Sequence, residues 1–268
     1  MVSSSQRMIE THFPVMSSMG IARFTPIVLL LMAMSCKSTT EAGAGKASLS
    51  LDGSDDFVQV EASGAPNFGR GDFTWEVWVK RSRAGVREEV LLKKDVLASE
   101  HIVVLFVGDD NRAYAYLGET ALTQPLVLRS QSAFGSGVWT HLAITRSSGV
   151  ATLYVNGVAE ASYAADYDIT SSGPFRIGAN RENNAGPEGA PLFNFGGLIR
   201  EVRLWSVART AQELNAAMRK PATPGAPGLE AYYPLTDGEG AQARELTGRG
   251  GAGSLRNGAT WVANDRPF

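Results

Sequence analysis

The feature that most constrains the fold is the recurrence of short segments in which apolar and polar residues alternate. In DFTWEVWVKR, apolar side chains fall on every second position from Phe73 to Val79, and the positions between them are mostly polar. Side chains of a β-strand point alternately to its two faces, so this period of two predicts a strand with one face in a core.

Turn signals between further segments of this kind predict antiparallel pairing. The stretch WTHLAITRSSGVATLYVNGVAEASY contains the turn SSG and then Asn156-Gly157, a dipeptide that strongly predicts a two-residue hairpin. More strands are expected at HIVVLFVG, which is apolar on both faces, and at AYAYLG, FRIGA, GGLIREVRLW, LEAYYPL and ATWVA. About a dozen short strands in about 220 residues predict an all-β sandwich of two antiparallel sheets with Greek-key connections.

One helix is expected among these strands, near 210–219. Thr210 and Glu213 have the spacing of a capping box, good helix formers follow, and Pro221 ends the run. We predict a short surface helix that packs through Leu214 and Met218.

Charge and cysteine content limit the class of protein. The 25 Lys and Arg residues nearly balance the 27 Asp and Glu residues, and the formal net charge of -2 gives no basic stripe for nucleic acid. A single cysteine and three histidines cannot build a disulfide framework or a sulfur-ligated zinc site within the chain. The composition, 44% hydrophobic, is sufficient for a packed core.

The start of the chain has the pattern of an export signal. Ile27–Met34 is an unbroken apolar run preceded by Arg23. A membrane-spanning helix needs about 20 apolar residues, so a run of this length is typical of the apolar region of a signal peptide. We therefore predict a signal peptide over residues 1–36.

The only cysteine, Cys36, directly follows this signal. The letters AMSC resemble the bacterial lipobox, whose cysteine is lipidated and becomes the mature N-terminus, although Ala33 stands where that motif usually has leucine. The alternatives are an ordinary signal peptide cut near Ser35 and a chance cysteine. Residues 37–48 are rich in Ser, Thr, Ala and Gly, which predicts a flexible linker with a span of about 20 Å. The resulting expectation is an exported lipoprotein, held through a lipid anchor at the outer membrane or cell surface.

Several segments, in this order, resemble the laminin-G-like jelly roll of the concanavalin A-like lectin and glucanase superfamily. They are LSLDGSDDFVQV, FTWEVWVKR, GVWTHLAITRSSGVATLYVNGV, GLIREVRLWSVARTAQEL, GLEAYYPLTDGEG and NGATWVANDRPF, which together cover nearly all of residues 46–268. The resemblance implies a two-sheet antiparallel jelly-roll domain over this range. It leaves function open, because the fold has sugar-binding, protein-binding and hydrolytic members. Arg200 stands where the family often has an aspartate.

The sequence offers little for catalysis. A glycosidase needs two carboxyl groups roughly 5 to 9 Å apart, and the acidic run that glucanases of this architecture carry on one strand is missing. Glu76 and Glu201 are isolated on separate strands, so Glu76 is expected to pair with Lys or Arg nearby. His141 reads as a hydrogen-bonded structural residue, and there is no Gly-x-Ser-x-Gly motif. We predict a protein that is not an enzyme, with glycoside hydrolysis as the weakest alternative.

Aromatic residues on strands and loops are the candidates for ligand binding. Sugars are bound by aromatic faces beside polar groups, which singles out Tyr114, Tyr116, Tyr167 and Phe193. The competing interpretation of Tyr114 and Tyr116 is that they pack on the opposite sheet. The expected partner is a polysaccharide or an envelope protein, and the alternative is a structural envelope lipoprotein without a sugar ligand.

A structural calcium ion is the one cofactor that the sequence suggests. Asp52, Asp55 and Asp56 lie in LDGSDDF, and resemblance to the family implies a calcium ion near a sheet edge. The alternative is a turn in which these side chains bond the local backbone. Asp237 and Glu239 in TDGEG are further candidate ligands from the other end of the chain, and Arg200 is a candidate to neutralise the charge instead.

Overall fold

The computed structural model describes residues 45–85, 88–94, 102–118, 126–180 and 193–268. The predicted signal peptide with Cys36, and the linker up to residue 44, lie outside these ranges. Within them, no helix has both the length and the apolar character that crossing a membrane requires.

The described residues form sixteen strands in two eight-stranded sheets, as the sequence predicts for a jelly-roll sandwich. Sheet A has the order β10 (Val158–Ala164), β9 (Val150–Val155), β8 (Trp139–Ser147), β3 (Phe73–Arg81), β12 (Gly196–Trp205), β1 (Ala47–Asp52), β16 (Thr260–Ala263), and β13 (Leu229–Tyr233) also pairs with β12. Sheet B has the order β14 (Gln242–Ala243), β15 (Gly253–Arg256), β2 (Phe57–Val60), β11 (Phe175–Ile177), β4 (Glu89–Lys94), β5 (Ile102–Val107), β6 (Arg112–Gly118), β7 (Leu126–Ala133). The pairings between these strands are antiparallel.

The predicted hairpins of sheet A are confirmed. Asn156 and Gly157 join β9 to β10 with φ values of 49° and 77°. A two-residue hairpin of the primed type needs positive φ at both central residues, which asparagine and glycine adopt at little cost. Ser148 and Gly149 do the same between β8 and β9, with φ values of 49° and 76°.

The core lies between the inner faces of the two sheets. Trp75 of β3 and Phe175 of β11 meet edge to face across it, with ring centroids 5.3 Å apart. Tyr233 of β13 is fully buried there as well, and Trp261 of β16 packs against the core from its edge. The segments LEAYYPL and ATWVA therefore supply strands to the sandwich, as the sequence predicts.

The short helix lies where the sequence places it. The helix α1 spans Ala211–Ala217, and a short 3₁₀ turn, Ala62–Gly64, is the other helical element among the described residues. The predicted capping box is present, because Thr210 Oγ1 accepts from the Glu213 amide while the Glu213 carboxylate accepts from the Thr210 amide. Leu214 is fully buried and Met218 nearly so.

The prediction that β3 is half-buried is wrong for its outer face. Thr74, Glu76 and Trp78 are no more than 2% exposed. The helix α1 and the residues after it cover this face: Trp78 Nε1 donates to the Met218 carbonyl at 2.7 Å, and the ring of Phe268 packs on Trp78. The polar side chains of Thr74 and Glu76 on this face are therefore buried.

The predicted 37–48 linker ends earlier than expected. Strand β1 begins at Ala47, which pairs with Ala263, and Ser48 pairs with Val262. Residues 47 and 48, which the predicted linker and the predicted domain range share, therefore lie in strand β1.

Candidate ligand-binding face

The candidate site lies on the outer face of sheet B. Because Ala115 of β6 is fully buried in the core, its neighbours Tyr114 and Tyr116 point to the opposite side. The interpretation that these tyrosines pack on the opposite sheet is therefore wrong. The same alternation turns Val104 and Phe106 of β5 outward, beside them.

These side chains form one apolar cluster, which we call the outer cluster. Its members come from β4, β5 and β6, together with Phe193, which precedes β12: Val90, Val104, Phe106, Tyr114, Tyr116 and Phe193. Cross-strand register sets Phe106 opposite Tyr114, and their rings stack with centroids 5.0 Å apart and planes 15° apart. Offset stacking of this kind stabilises both rings in a defined orientation.

The outer cluster forms the floor of an open cleft with two lobes. Lobe 1 has a volume of about 210 Å³ and is lined by Glu88, Val90, Lys93, Val104, Phe106, Tyr116, Asn180 and Phe193. Lobe 2 has a volume of about 480 Å³ and is lined by Glu88, Phe106, Gly108, Asp109, Tyr114, Tyr116, Val127 and Phe193. The lobes share Glu88, Phe106, Tyr116 and Phe193 and are therefore contiguous.

Polar groups stand at both ends of this cleft. In lobe 1, Lys93 Nζ donates to the side-chain oxygen of Asn180 at 2.5 Å. Beside lobe 2, the Tyr114 hydroxyl donates to Asp110 Oδ2 at 3.1 Å, and Arg129 Nε donates both to that carboxylate and to the hydroxyl. The Arg129 guanidinium also lies 6.0 Å from the ring centre of Tyr114. Tyr114 is thus held by stacking on one side and by ionic contacts on the other.

The protonation states of these groups suit hydrogen bonding. Burial raises the pKa of Tyr114, and burial with the nearby charge of Glu88 raises the pKa of Tyr116, so both hydroxyls stay protonated at neutral pH. Burial alone would raise the pKa of Asp110, but the hydrogen bonds from Arg129, the Arg112 amide and Tyr114 outweigh it and lower the pKa. The carboxylate that fixes Tyr114 therefore remains ionised.

Of the four aromatic residues predicted from the sequence, the structure brings three together. Tyr114, Tyr116 and Phe193 line the cleft, whereas Tyr167 packs against the main core, where its carbonyl accepts from Arg146. Tyr167 lies between β10 and β11, outside the strands that carry the cleft.

Sequence reasoning missed the residues that complete the cleft. These are Glu88, Val90, Lys93, Val104, Phe106, Asp109, Val127 and Asn180. One signal was available: β5 is apolar at every position, and an antiparallel strand with an apolar outer face needs something to pack on that face. Phe106 could have been found this way, but Asn180 and Glu88 could not, because their positions depend on how β11 and β4 are placed in the sheet.

The three aspartates suggested for calcium do converge. The carboxylate oxygens of Asp52, Asp55 and Asp56 lie within 4.8 Å of one another. Burial, with the charges of Asp52 and Asp55, raises the pKa of Asp56 against the hydrogen bond from the Asp52 amide. Such a set fits a hard cation in its donor chemistry.

The same residues also form the turn that was the alternative. Asp52 Oδ1 accepts from the Ser54 amide at 2.7 Å, and Asp56 Oδ2 accepts from the Asp52 amide at 3.0 Å. Asp237 and Glu239 are not part of this group of carboxylates, and Arg244 Nε donates to the Asp237 carboxylate at 2.5 Å. Arg200 is buried elsewhere, where it donates to the Gly45 carbonyl.

The two isolated glutamates lie beneath α1, away from the cleft. Glu76 accepts from Trp205 Nε1 at 2.6 Å and lies 3.1 Å from His141 Nε2, as expected for a structural histidine and a paired glutamate. Arg203 contacts Glu76 at 3.6 Å and Glu201 at 2.6 Å. Both carboxylates are no more than 2% exposed, so this pair cannot reach a polysaccharide.

The family of the chain is shown by its sequence. The family model described as the concanavalin A-like lectin/glucanases superfamily matches residues 52–215, which is more than half of the chain, and the chain belongs to that family. The search of curated proteins found no match to this chain.

Solved structures share the fold. A protein from Bacteroides ovatus ATCC 8483, assigned provisionally to carbohydrate binding, has a TM-score of 0.64 at 24% identity, over 83% of this chain and 61% of its own. This chain thus spans about three fifths of the length of that protein. Domain 4 of a Geobacillus stearothermophilus extracellular arabinanase, in complex with arabinotriose, has a TM-score of 0.50 at 21% identity, over 63% of this chain and 75% of its own. The CBM40 domain of a Ruminococcus gnavus sialidase, bound to α2,3-sialyllactose, has a TM-score of 0.50 at 16% identity, over 65% of this chain and 98% of its own.

Proposed function

We propose that this protein is a non-catalytic binding module that holds a carbohydrate in the cleft on sheet B. The observation that carries the proposal is the outer cluster: aromatic rings that form the floor of an open cleft on sheet B and are bordered by polar groups. Two solved domains of the same fold are named as complexes with oligosaccharides, which supports a ligand of this class.

The chemistry of the cleft matches that of a sugar. The apolar C–H face of a pyranose or furanose ring packs on an aromatic side chain, and its hydroxyls need donors and acceptors around it. Here Phe106, Tyr116 and Phe193 supply the apolar contact. The carboxylates of Glu88 and Asp109 are exposed acceptors at the rim.

A glycan array with the purified chain tests this function, with Tyr116→Ala as the variant. Tyr116 lines both lobes, so its truncation should weaken binding by about tenfold or more. Tyr163→Ala is the matched control, because Tyr163 is 57% exposed on β10 and takes no part in the cleft.

The array can also refute the proposal. Binding that Tyr116→Ala and Tyr163→Ala leave equally intact would place the ligand elsewhere. No binding to any glycan, together with envelope proteins that copurify with the chain, would favour the alternative of a structural envelope lipoprotein.

We propose further that the module is exported and held at the outer membrane or cell surface by a lipid on Cys36. The support is in the sequence: the apolar run, the small residues Ala33 and Ser35 before the cysteine, and the linker after it. A tether of this kind would let the module bind polysaccharide close to the cell.

A further inference from the structure

The shape of the cleft bears on what kind of glycan it takes. Lobe 1 and lobe 2 meet along a shared wall of Glu88, Phe106, Tyr116 and Phe193. Each lobe also has a polar group of its own: the Asn180 side chain belongs to lobe 1 and the Asp109 carboxylate to lobe 2. A shared, mostly aromatic wall with separate polar groups is the arrangement expected for two adjacent rings of one chain.

The charges around the cleft bear on the same question. Glu88 and Asp109 are exposed carboxylates at the rim. Among the described residues that line the cleft, the one cation is Lys93, which is only 8% exposed and donates to Asn180; the nearby Arg129 is paired with Asp110 at 2.5 Å. An incoming carboxylate would be repelled by Glu88 and Asp109, while a neutral hydroxyl would find acceptors in them.

Resting on the proposed function, we infer that the cleft binds at least two consecutive residues of a neutral polysaccharide and discriminates against acidic sugars. Lobe 1 holds one residue through Asn180 and the wall, and lobe 2 holds the next through Asp109 and Tyr114. Specificity for neutral chains comes from Glu88 and Asp109.

The first test is a length series. The full chain, purified in detergent, is titrated by calorimetry with neutral arabinan-, xylan- and glucan-derived oligosaccharides of one to six residues, and with oligogalacturonates of the same lengths. For the neutral series that binds, affinity should rise about three- to tenfold from one residue to two, as a second ring contact requires, and then level off. The acidic series should bind at least about tenfold more weakly at low salt, and the difference should shrink at high salt as the charges are screened.

The second test separates the two lobes. Asp109→Ala should reduce the gain between one and two residues, because it removes the polar group that belongs to lobe 2 alone. Asp109 is exposed, so the variant should fold normally, which an unchanged melting temperature verifies. Asp166→Ala is the matched control, since the Asp166 side chain is 79% exposed and lies outside the cleft. Glu88→Gln should bring the acidic series closer to the neutral one.

The outcomes distinguish this inference from the proposed function. Neutral glycan binding with no dependence on length, or with a length dependence that Asp109→Ala leaves intact, would overturn the two-residue site while the binding module stands. Oligogalacturonates that bind as tightly as neutral chains would overturn the charge argument alone. Absence of binding to every oligosaccharide would overturn the proposed function and this inference with it.

Discussion

Replacement of Glu76 by glutamine should destabilise the sandwich strongly, although the residue takes no part in the candidate site. The carboxylate is fully buried, accepts from Trp205 Nε1 at 2.6 Å and lies 3.1 Å from His141. Arg203, itself 1% exposed, contacts it at 3.6 Å. Glutamine keeps the volume but removes the charge, which leaves Glu201 as the remaining carboxylate in contact with Arg203 among the described residues.

The magnitude follows from the burial of these charges. Loss of one partner of a buried ion pair costs about 3–5 kcal/mol, because the other charge stays desolvated. Glutamine retains some of the hydrogen bonding, so we expect the free energy of unfolding to fall by about 3 kcal/mol. For a domain of this size that corresponds to about 6–12 °C in melting temperature.

Urea denaturation of the full chain, followed by tryptophan fluorescence, measures this change. Glu239→Gln is the matched control, because Glu239 is exposed and should shift stability by no more than about 0.5 kcal/mol. A double-mutant cycle with Arg203→Met should show that the two changes together cost less than their sum. A loss below about 1 kcal/mol for Glu76→Gln, or strict additivity in the cycle, would refute the view that this buried charge network stabilises the fold.

The stability difference between wild type and Glu76→Gln should also depend on pH. Burial by itself raises the pKa of Glu76, but the hydrogen bond from His141 and the charges of Arg203, His141 and Arg209 outweigh it and lower the pKa. A carboxyl group with a lowered pKa in the folded state stabilises the protein above its unfolded pKa, and the contribution is lost as the pH falls through the folded value. The stability difference between wild type and Glu76→Gln should therefore be constant near neutral pH and narrow in acid.

Three further predictions concern the anchor, the metal and the end of the chain. Cys36→Ser should accumulate as unprocessed precursor in membrane fractions, and a variant that is processed and retained like the wild type would contradict lipidation. Millimolar calcium should raise the melting temperature of the wild type above its value in chelator, and the increase should be smaller for Asp52→Asn. Equal melting temperatures in calcium and in chelator would mean that the aspartates only form a turn. A chain ending at Lys220 lacks β13 to β16, including the buried Tyr233, and should melt at a clearly lower temperature and less cooperatively than the full chain.

The fold was largely predictable because its signals are local. Alternation, the Asn156-Gly157 turn and the capping box at Thr210 each depend on a few neighbouring residues, and each is present in the structure. The burial of Glu76 was not predictable in this way. The outer face of β3, which carries Glu76, is covered by α1 and by residues after it, up to Phe268. Contacts between segments so far apart in the sequence leave no local pattern.

The candidate site was predictable only in its aromatic part. Tyr114 and Tyr116 share a face because they are two residues apart on a strand, but whether that face was inner or outer was undecided. The small size of Ala113 and Ala115, which fill the inner positions, gave no clear signal by itself. Asn180 reaches the cleft only because β11 pairs with β4, which is a property of the sheet order and not of the residues nearby.

The pairing of β1 with β16 determines how the domain responds to mechanical load. Ala47, at the start of β1, lies opposite Ala263, at the end of β16, so the first and last strands of sheet A have these two ends side by side. A force that pulls these two ends apart would unzip the pair one hydrogen bond after another, which is a weak geometry. A force applied to a ligand on sheet B and resisted by an anchor before Ala47 would act on β1 alone and not on the end of β16. Strand β1 would resist it with both neighbours, because β12 pairs with its other side from Leu49 to Asp52. The position of β1 between two neighbours thus suits a domain that is tethered at its N-terminal end and pulled through its ligand.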